Sequence, residues 1–278
     1  MKNIYFASSF MWDATAEELV DFTAENDLRG IELWAQHVES ANINLDKYVS
    51  LCNKNNIDTV VHAKSWDLNY ASINKSIRRA SIEEIKSSID IACYVNVKEV
   101  TVHPPRYSLG VDKCLFEIAK ESLFEINEYA LSKGIEISME IMEHIPKEMA
   151  TTADDMKLLT ENLKGISYTV DLAHCITEHE FWHNIDAMKN VSKVHVSNKK
   201  DKKLHTQLYD GDFDFGKIYN MLCKMKIPMV IEGFEKGKEF KKLKENISFI
   251  KELEEKKNYE EKNFDIFNGC ISINSIRM

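Results

Sequence analysis

Short apolar runs rich in β-branched residues alternate along the chain with longer segments of helical hydrophobic period. Runs of this kind, bounded by polar segments, are typical of β-strands. The predicted strands are Ile4 to Ser8, Gly30 to Trp34, Thr59 to His62, Glu99 to His103, Glu136 to Glu140, Ser167 to Asp171, Lys193 to Val196 and Met229 to Glu232.

Two of the intervening segments place apolar residues at every third or fourth position, which lays a stripe on one face of a helix. These stripes are Ile82, Ile85, Ile89 and Ala92, and Phe240, Leu243, Ile247, Ile250 and Leu253. Weaker helical patterns lie at Thr15 to Glu25, Leu115 to Lys133, Ala153 to Leu163 and Phe215 to Met225. Strand and helix alternating in this way over about 250 residues predict an α/β fold, a closed parallel (β/α)₈ TIM barrel in a single domain.

An open doubly wound sheet is the alternative arrangement of the same elements. Such a sheet normally has a glycine-rich turn after its first strand. The corresponding residues here, FASSFMWD, contain no glycine. Their composition favours the closed barrel.

The C-terminal part differs in composition from the rest. Residues 236–262 are rich in Lys and Glu and predict a last helix with a solvated face, whereas residues 263–278 show no clear helical period. We assign residues 1–256 to the barrel and residues 257–278 to a C-terminal tail of unknown role. The tail is apolar enough to pack against another subunit, so a homo-oligomer stays open.

Charge and cysteine content narrow the class of function. The formal net charge of -9 and a pI near 5.6 argue against a surface-wide nucleic-acid groove, although a local basic patch is compatible with that average. There is no run of about 18 apolar residues and no secretory signal pattern, so we expect the chain neither to span nor to cross a membrane. The six cysteines are scattered without a CxxC pair, which indicates reduced thiols in a cytoplasmic protein.

Four predicted strands end at or near a side chain that can bind a metal ion. These side chains are Glu140, Asp171, His195 and Glu232. In a barrel, apolar side chains fill the interior and the carboxyl ends of all strands converge on one rim, so the four would meet there. Three carboxylates around one point repel each other unless a cation lies among them, and the set suits Mn²⁺, Zn²⁺, Co²⁺ or Mg²⁺. The other interpretation is that each residue pairs with a basic side chain at the rim.

Motifs at the strand ends occur in a fixed order along the chain. They are GIELW, VVHAKSWDLN, VTVHPP, SMEI, TVDLAH, KVHVSN and VIEGF. With this ordered set, the chain from Ile4 to Glu235 resembles the superfamily of xylose-isomerase-like TIM barrels, which contains sugar isomerases and epimerases, inosose dehydratases and endonuclease IV. The resemblance implies that Glu140, Asp171, His195 and Glu232 together bind one catalytic divalent metal ion.

The same resemblance bears on His62 and His103, which end the third and fourth strands. It leaves three interpretations for this pair. They line the substrate pocket, as in the isomerases, or bind a second metal, as in endonuclease IV, or are histidines held by the backbone.

His174 and His205 follow the sixth and seventh strands. In the isomerase branch His174 looks like a contact to a substrate oxygen; otherwise it is a capping or surface residue. Endonuclease IV holds a third zinc with the histidine of a DxxH motif, which corresponds to His174, and with the two residues of a DxH pair. In this chain Lys203 stands at the aspartate position of that pair, before His205, and would repel a metal. We therefore expect His205 to contact substrate or to be exposed. The nearby carboxylates that remain as substitutes are Asp210, Asp212 and Asp214.

A few other residues are candidates for shaping the pocket. Trp12 and Trp66 follow the first and third strands and would form apolar walls of a sugar-sized pocket or pack at the rim. Glu32 near the end of the second strand is a candidate for an ion pair. The lysines at positions 199, 200, 202 and 203 would receive a phosphate or form a solvated loop.

A metal held by this ligand set can polarise a carbonyl and its neighbouring hydroxyl, which acidifies the C–H bond between them. Glu140 and Glu232, from the fifth and eighth strands, are the predicted acid/base pair that removes and returns the proton. We therefore expect a metal-dependent isomerase or epimerase acting on a sugar or related keto-polyol through an enediolate, with dehydration as a third outcome. The alternatives are an endonuclease IV-like phosphodiester hydrolase, against which the acidic charge argues, and a sugar-binding barrel without catalysis.

Overall fold

In a computed structural model, parallel strands close into the predicted barrel. The structure describes the backbone of residues 3–274 and the side chains of residues 3–257 and 259. The barrel strands are β1 (Ile4–Ala7), β2 (Gly30–Trp34), β3 (Asp58–His62), β4 (Glu99–Val102), β5 (Glu136–Ile141), β6 (Ile166–Asp171), β7 (Val191–Val196) and β10 (Met229–Ile231). Each strand pairs with its neighbours in sequence order, and β10 pairs with β1 to close the ring. The predicted fold is confirmed.

A two-stranded hairpin between β7 and the next helix was not predicted. It consists of β8 (Asn198–Lys200) and β9 (Lys203–Thr206), which pair antiparallel outside the barrel. Its strands are short and rich in lysine, so they lack the apolar run that marks the barrel strands. The hairpin carries His205 to the rim.

Helices connect the strands and surround the barrel. They are α1 (Ala16–Glu25), α2 (Ala35–Ser40), α3 (Leu45–Asn55), α4 (Lys75–Tyr94), α5 (Lys113–Ser132), α6 (Ala153–Leu159), α7 (Glu178–Ala187), α8 (Phe215–Met225) and α9 (Lys241–Asn274). Thr15 begins α1 with a reciprocal capping box, in which its side chain accepts from the amide of Glu18 and the Glu18 carboxylate accepts from the amide of Thr15. The stripe on α4 is buried at Ile82, Ile85, Ile89 and Ala92, as the period indicated.

The backbone of α9 continues through residue 256 and into the segment for which no helical period was found. How the tail packs lies outside the described residues, so its role and any contact with another subunit stay predictions. Within the described part of the chain, no helix is long and apolar enough to cross a membrane.

The barrel interior beneath the rim is polar, contrary to the apolar filling that we expected. The Glu99 carboxylate accepts hydrogen bonds from Ser167 Oγ at 2.6 Å and Ser192 Oγ at 2.9 Å, and it pairs with the buried Lys193 ammonium. A second layer contains Ser138 and Thr169, whose hydroxyls lie 2.8 Å apart. Inward positions alternate along a strand, and on β4 to β7 they carry polar residues down to the floor of the barrel. The large apolar core lies instead between the barrel and its helices.

Candidate metal centre and cavity

The structure brings the predicted ligands together at the carboxyl rim. Glu140 lies on β5, Asp171 ends β6, His195 lies on β7, and Glu232 directly follows β10. All four are buried, and each offers one ligand atom within 4.8 Å of the others. Four residues that are far apart in the sequence, each from a different strand of the second half of the barrel, therefore form one group.

Their inward atoms lack hydrogen-bond partners among the described residues. These atoms are both Glu140 oxygens, Asp171 Oδ2, His195 Nδ1 and Glu232 Oε2. His195 Nδ1 lies 2.9 Å from Glu232 Oε2 and 3.4 Å from Glu140 Oε1, but neither contact has hydrogen-bond geometry. Buried polar atoms without partners are rare, and several that converge on one point fit a bound cation.

A carboxylate behind His195 orients its ring. His195 Nε2 donates to Glu32 Oε1 at 3.1 Å, and Thr101 Oγ1 donates to the same oxygen at 3.2 Å. Glu32 is fully buried, and His195 is the partner of the ion pair that the sequence predicted for it. A histidine that binds metal usually donates its other N–H to such a group, which leaves Nδ1 of His195 free for the centre.

The pKa values of the four residues are shifted in different directions. Burial raises the pKa of Asp171 well above its usual value, and the nearby Glu232 and Glu140 carboxylates add to the shift. Burial also opposes ionisation of Glu140 and Glu232, but His195 outweighs it and holds the pKa of both carboxylates well below the usual range. The pKa of His195 is raised well above its usual value because its carboxylate neighbours, led by Glu32, outweigh burial. Metal binding must therefore displace protons from this group.

His62, His103 and Glu140 form a second group that shares one carboxylate with the first. His103 Nε2 lies 3.1 Å from His62 Nε2 and 3.2 Å from Glu140 Oε2. His62 Nδ1 donates to the carbonyl oxygen of Ala63 at 2.7 Å, so its Nε2 faces the group. His62 is fully buried under the ring of Trp34, with the ring centroids 4.1 Å apart.

Asp171, His174 and His205 form a third group. His174 Nδ1 donates to the carbonyl oxygen of Ile141 at 2.8 Å, and His205 Nδ1 lies 2.9 Å from Ser197 Oγ. The carboxylate of this group comes from β6 rather than from the hairpin loop. The three aspartates that could have replaced the missing DxH carboxylate make other contacts. Asp210 pairs with Lys200, Asp212 accepts from the amide of Asp201, and Asp214 caps α8.

A cavity of about 480 Å³ opens above these groups. Of the residues predicted to line a pocket, it reaches His103, His174, His205 and Trp66, and it also reaches the predicted metal ligand Glu232. The lining residues to which the sequence interpretation assigned no role are Trp34, Ser65, Asp67, Arg106, Met142 and Glu143. Each of these residues ends a barrel strand or lies within five residues after one, and that position was the signal available in the sequence.

Two predicted pocket residues lie behind the cavity surface. His62 is buried beneath it, and Trp12 packs against Trp66 and His37 with ring-centroid distances of 5.0 and 5.1 Å. Trp12 thus supports the Trp66 wall and is not part of the cavity lining. The lysines at positions 199, 200, 202 and 203 are likewise absent from the lining.

Comparisons with known proteins agree with this architecture. A family model described as xylose isomerase-like TIM barrel matches residues 20–253. An uncharacterized protein of Methanocaldococcus jannaschii is 25% identical over 194 residues, covering 69% of this chain and 76% of that protein. A second uncharacterized protein of the same organism is 24% identical over 223 residues, covering 77% and 82%.

Two solved structures share the fold over almost their whole length. The crystal structure of a D-tagatose 3-epimerase-like protein has a TM-score of 0.75 at 22% identity, covering 94% of this chain and 99% of that chain. The structure of a 3-keto-D-glucoside 4-epimerase from E. coli has a TM-score of 0.73 at 13% identity, covering 91% and 99%. At these identities the likeness concerns the fold.

Proposed function

The chain belongs to the xylose isomerase-like TIM barrel family, and from that premise we propose that it is a divalent-metal-dependent isomerase or epimerase of a sugar or related keto-polyol. The observation that carries the proposal is the convergence of unpartnered ligand atoms from Glu140, Asp171, His195 and Glu232 beneath the cavity. Mn²⁺, Zn²⁺, Co²⁺ and Mg²⁺ all suit this donor set. The epimerases among the structural neighbours are consistent with the reaction class.

A divalent ion bound there would polarise a substrate carbonyl and the adjacent hydroxyl. Glu232 lines the cavity, and we assign to it removal of the proton from the carbon that bears this hydroxyl. Glu140 lies deeper, with its oxygens turned toward His195 and toward His62 and His103. We assign Glu140 both metal binding and the second proton-transfer role that completes the pair. Return of a proton to the opposite face of the same carbon gives epimerisation, return to the neighbouring carbon gives isomerisation, and loss of a β-hydroxyl gives dehydration.

Solvent isotope exchange tests this proposal directly. With a panel of ketoses in D₂O, the metal-loaded protein should incorporate deuterium next to the carbonyl. Glu232→Gln should lose the exchange and still bind sugar, whereas Glu239→Gln, an exposed carboxylate outside the cavity, serves as the matched control. Exchange that persists without both Glu140 and Glu232 would assign the chemistry to other residues.

A second candidate function is phosphodiester hydrolysis, because three ligand groups share Glu140 and Asp171. Metals a few ångströms apart can generate a hydroxide and stabilise the leaving oxygen. Against it, Arg106 is the one Lys or Arg in the cavity lining among the described residues, and the net charge is -9. Binding to a duplex needs a positive track along the phosphates.

The two functions predict different metal content and different products. The isomerase proposal expects about one tightly held ion and no useful cleavage of a duplex that bears one abasic site. Metal-dependent incision that Glu140→Gln abolishes, together with two or three ions per chain, would make the hydrolase the leading function.

We also propose that the protein is cytoplasmic and acts on a small molecule. The five cysteines within the described part of the chain are free thiols, the state expected in a reducing compartment. The cavity of about 480 Å³ suits a sugar-sized ligand.

A further inference from the structure

Among the described residues, Arg106 is the one Lys or Arg side chain that lines the cavity, and its backbone is held firmly. The Asn69 side chain accepts from the Arg106 amide at 3.2 Å and donates to its carbonyl oxygen at 2.9 Å. Arg106 also forms an antiparallel bridge with Glu148. Three rim loops, those after β3, β4 and β5, therefore meet at this residue.

The guanidinium is oriented by a single contact. Its Nε donates to Glu148 Oε1 at 2.5 Å, and the Glu148 side chain is fully buried while that of Arg106 is 47% exposed. Glu148 Oε2 has no hydrogen-bond partner among the described residues, so the pair is held at one point and not as a two-point fork. The outer Nη edge of the guanidinium is left to donate to a ligand.

The charges around this edge select the kind of ligand. The cavity is lined by three carboxylates, Asp67, Glu143 and Glu232, and by the imidazoles of His103, His174 and His205, of which His174 lies 3.8 Å from Glu143. Glu148 already compensates the charge of Arg106 from behind. Asp67 makes no ion pair with the described residues and has a left-handed backbone at φ 61°. A phosphate placed here would meet several carboxylates, whereas sugar hydroxyls can accept from Arg106 and donate to Asp67 and Glu143.

We propose that Arg106, oriented by Glu148, is a specificity-determining residue that binds hydroxyl oxygens of an unphosphorylated polyol at the cavity wall formed by the loops after β3, β4 and β5. This rests on the proposed function for the reaction at the candidate metal ligands. A metal ion held by those ligands would bind the reacting carbonyl, and Arg106 would hold the hydroxyls at this wall, which sets the carbon that faces Glu232.

Ligand binding to the manganese-loaded protein tests the assignment without requiring turnover. Trp34 and Trp66 line the cavity and supply a fluorescence signal. The probes are free ketopentoses and ketohexoses and their phosphate esters. Arg106→Gln should weaken binding of the free sugars roughly 10- to 100-fold, the range for a hydrogen bond from a charged donor, with unchanged manganese stoichiometry.

Controls separate this role from a structural one. Arg106→Gln leaves Glu148 buried without its cation, so the double variant Arg106→Gln/Glu148→Gln repeats the loss without the buried charge. Arg79→Gln removes an exposed guanidinium from α4 that pairs with Glu83 and Glu125, and it should leave binding unchanged. Glu148→Gln alone should improve the affinity for phosphate esters relative to free sugars, because it removes one negative charge.

Each outcome decides the matter. Weaker free-sugar binding in both Arg106 variants, with free sugars preferred by the parent, supports the assignment. Unchanged binding in those variants, no binding of any free ketose, or a parent preference for phosphate esters that Arg106→Gln abolishes would overturn it. Binding as expected without isotope exchange would leave Arg106 in place and reject the isomerase or epimerase reaction.

Discussion

Removing the Glu32 carboxylate should weaken metal binding although Glu32 is not among the predicted ligands. Its Oε1 accepts from His195 Nε2 at 3.1 Å and from Thr101 Oγ1 at 3.2 Å. Glu32→Gln keeps an acceptor and loses the charge, whereas Glu32→Ala loses both. Groups behind a metal ligand typically contribute 10- to 100-fold in affinity.

We therefore expect about 10-fold weaker binding for Glu32→Gln and about 100-fold for Glu32→Ala, which correspond to about 1.4 and 2.7 kcal/mol. Thr101→Val removes only the supporting hydrogen bond at nearly constant volume, and its effect should be smaller than that of either Glu32 variant. The affinity for Mn²⁺ or Co²⁺ can be measured by calorimetry in competition with a chelator of known strength.

Glu99→Gln is the matched control, because it also removes a carboxylate from the barrel interior but lies at the opposite end, beside Lys193. It should lower the free energy of unfolding and leave metal affinity unchanged. The reasoning fails if both Glu32 variants bind metal as tightly as the parent, or if Glu99→Gln weakens binding equally.

Three further predictions concern the centre and the barrel. Asp171→Asn should leave the metal-free protein as stable as the parent or more stable, because burial and neighbouring carboxylates already raise the pKa of Asp171. Added metal should no longer raise the melting temperature of this variant. A full metal-induced shift would contradict the ligand assignment. Gly30→Ala should lower the free energy of unfolding in urea by about 1–3 kcal/mol, because a Cβ would lie 2.3 Å from the Asp58 carbonyl oxygen. Gly216→Ala in α8, where the nearest contacts of a Cβ are at 3.5 Å, should be neutral or stabilising. Equal effects of the two substitutions would refute the packing argument. Lys193→Met should lower the free energy of unfolding by about 3 kcal/mol. This is the lower end of the range for breaking a buried ion pair, because Glu99 is partly exposed. A variant as stable as the parent in the same assay would show that the pair contributes little.

The barrel and the convergence of the candidate metal ligands could be predicted because both depend on short-range pattern. Apolar runs mark the strands, and in a parallel barrel the end of each run lies at the same rim. Glu140, Asp171 and His195 needed no knowledge of loop conformation, since each sits within its strand.

The cavity wall could not be predicted in the same way. Arg106 is oriented by Glu148, which lies 42 positions away on another loop. The burial of His62 depends on Trp34 covering it from the neighbouring strand. Contacts of this kind follow from tertiary packing, which a period of two or 3.6 residues does not contain.

The alternation of polar residues that forms the barrel interior is present in the sequence and indicates inward-facing polar side chains. Glu99 and Thr101 on β4 and Ser138 on β5 stand at alternate positions with the rim residues His103 and Glu140. The expectation of an apolar interior came from the general behaviour of such barrels and overrode that alternation.

The pairing of β10 with β1 has a consequence for biosynthesis. The ribosome makes β1 first and β10 after more than two hundred further residues, and Glu232 directly follows β10. A nascent chain that stops short of Met229 exposes the unpaired edges of β1 and β7 and holds only part of the ligand set. Completion of the proposed metal site is thereby tied to completion of the polypeptide, and a truncated product would reach quality control with an incomplete site and prone to aggregate.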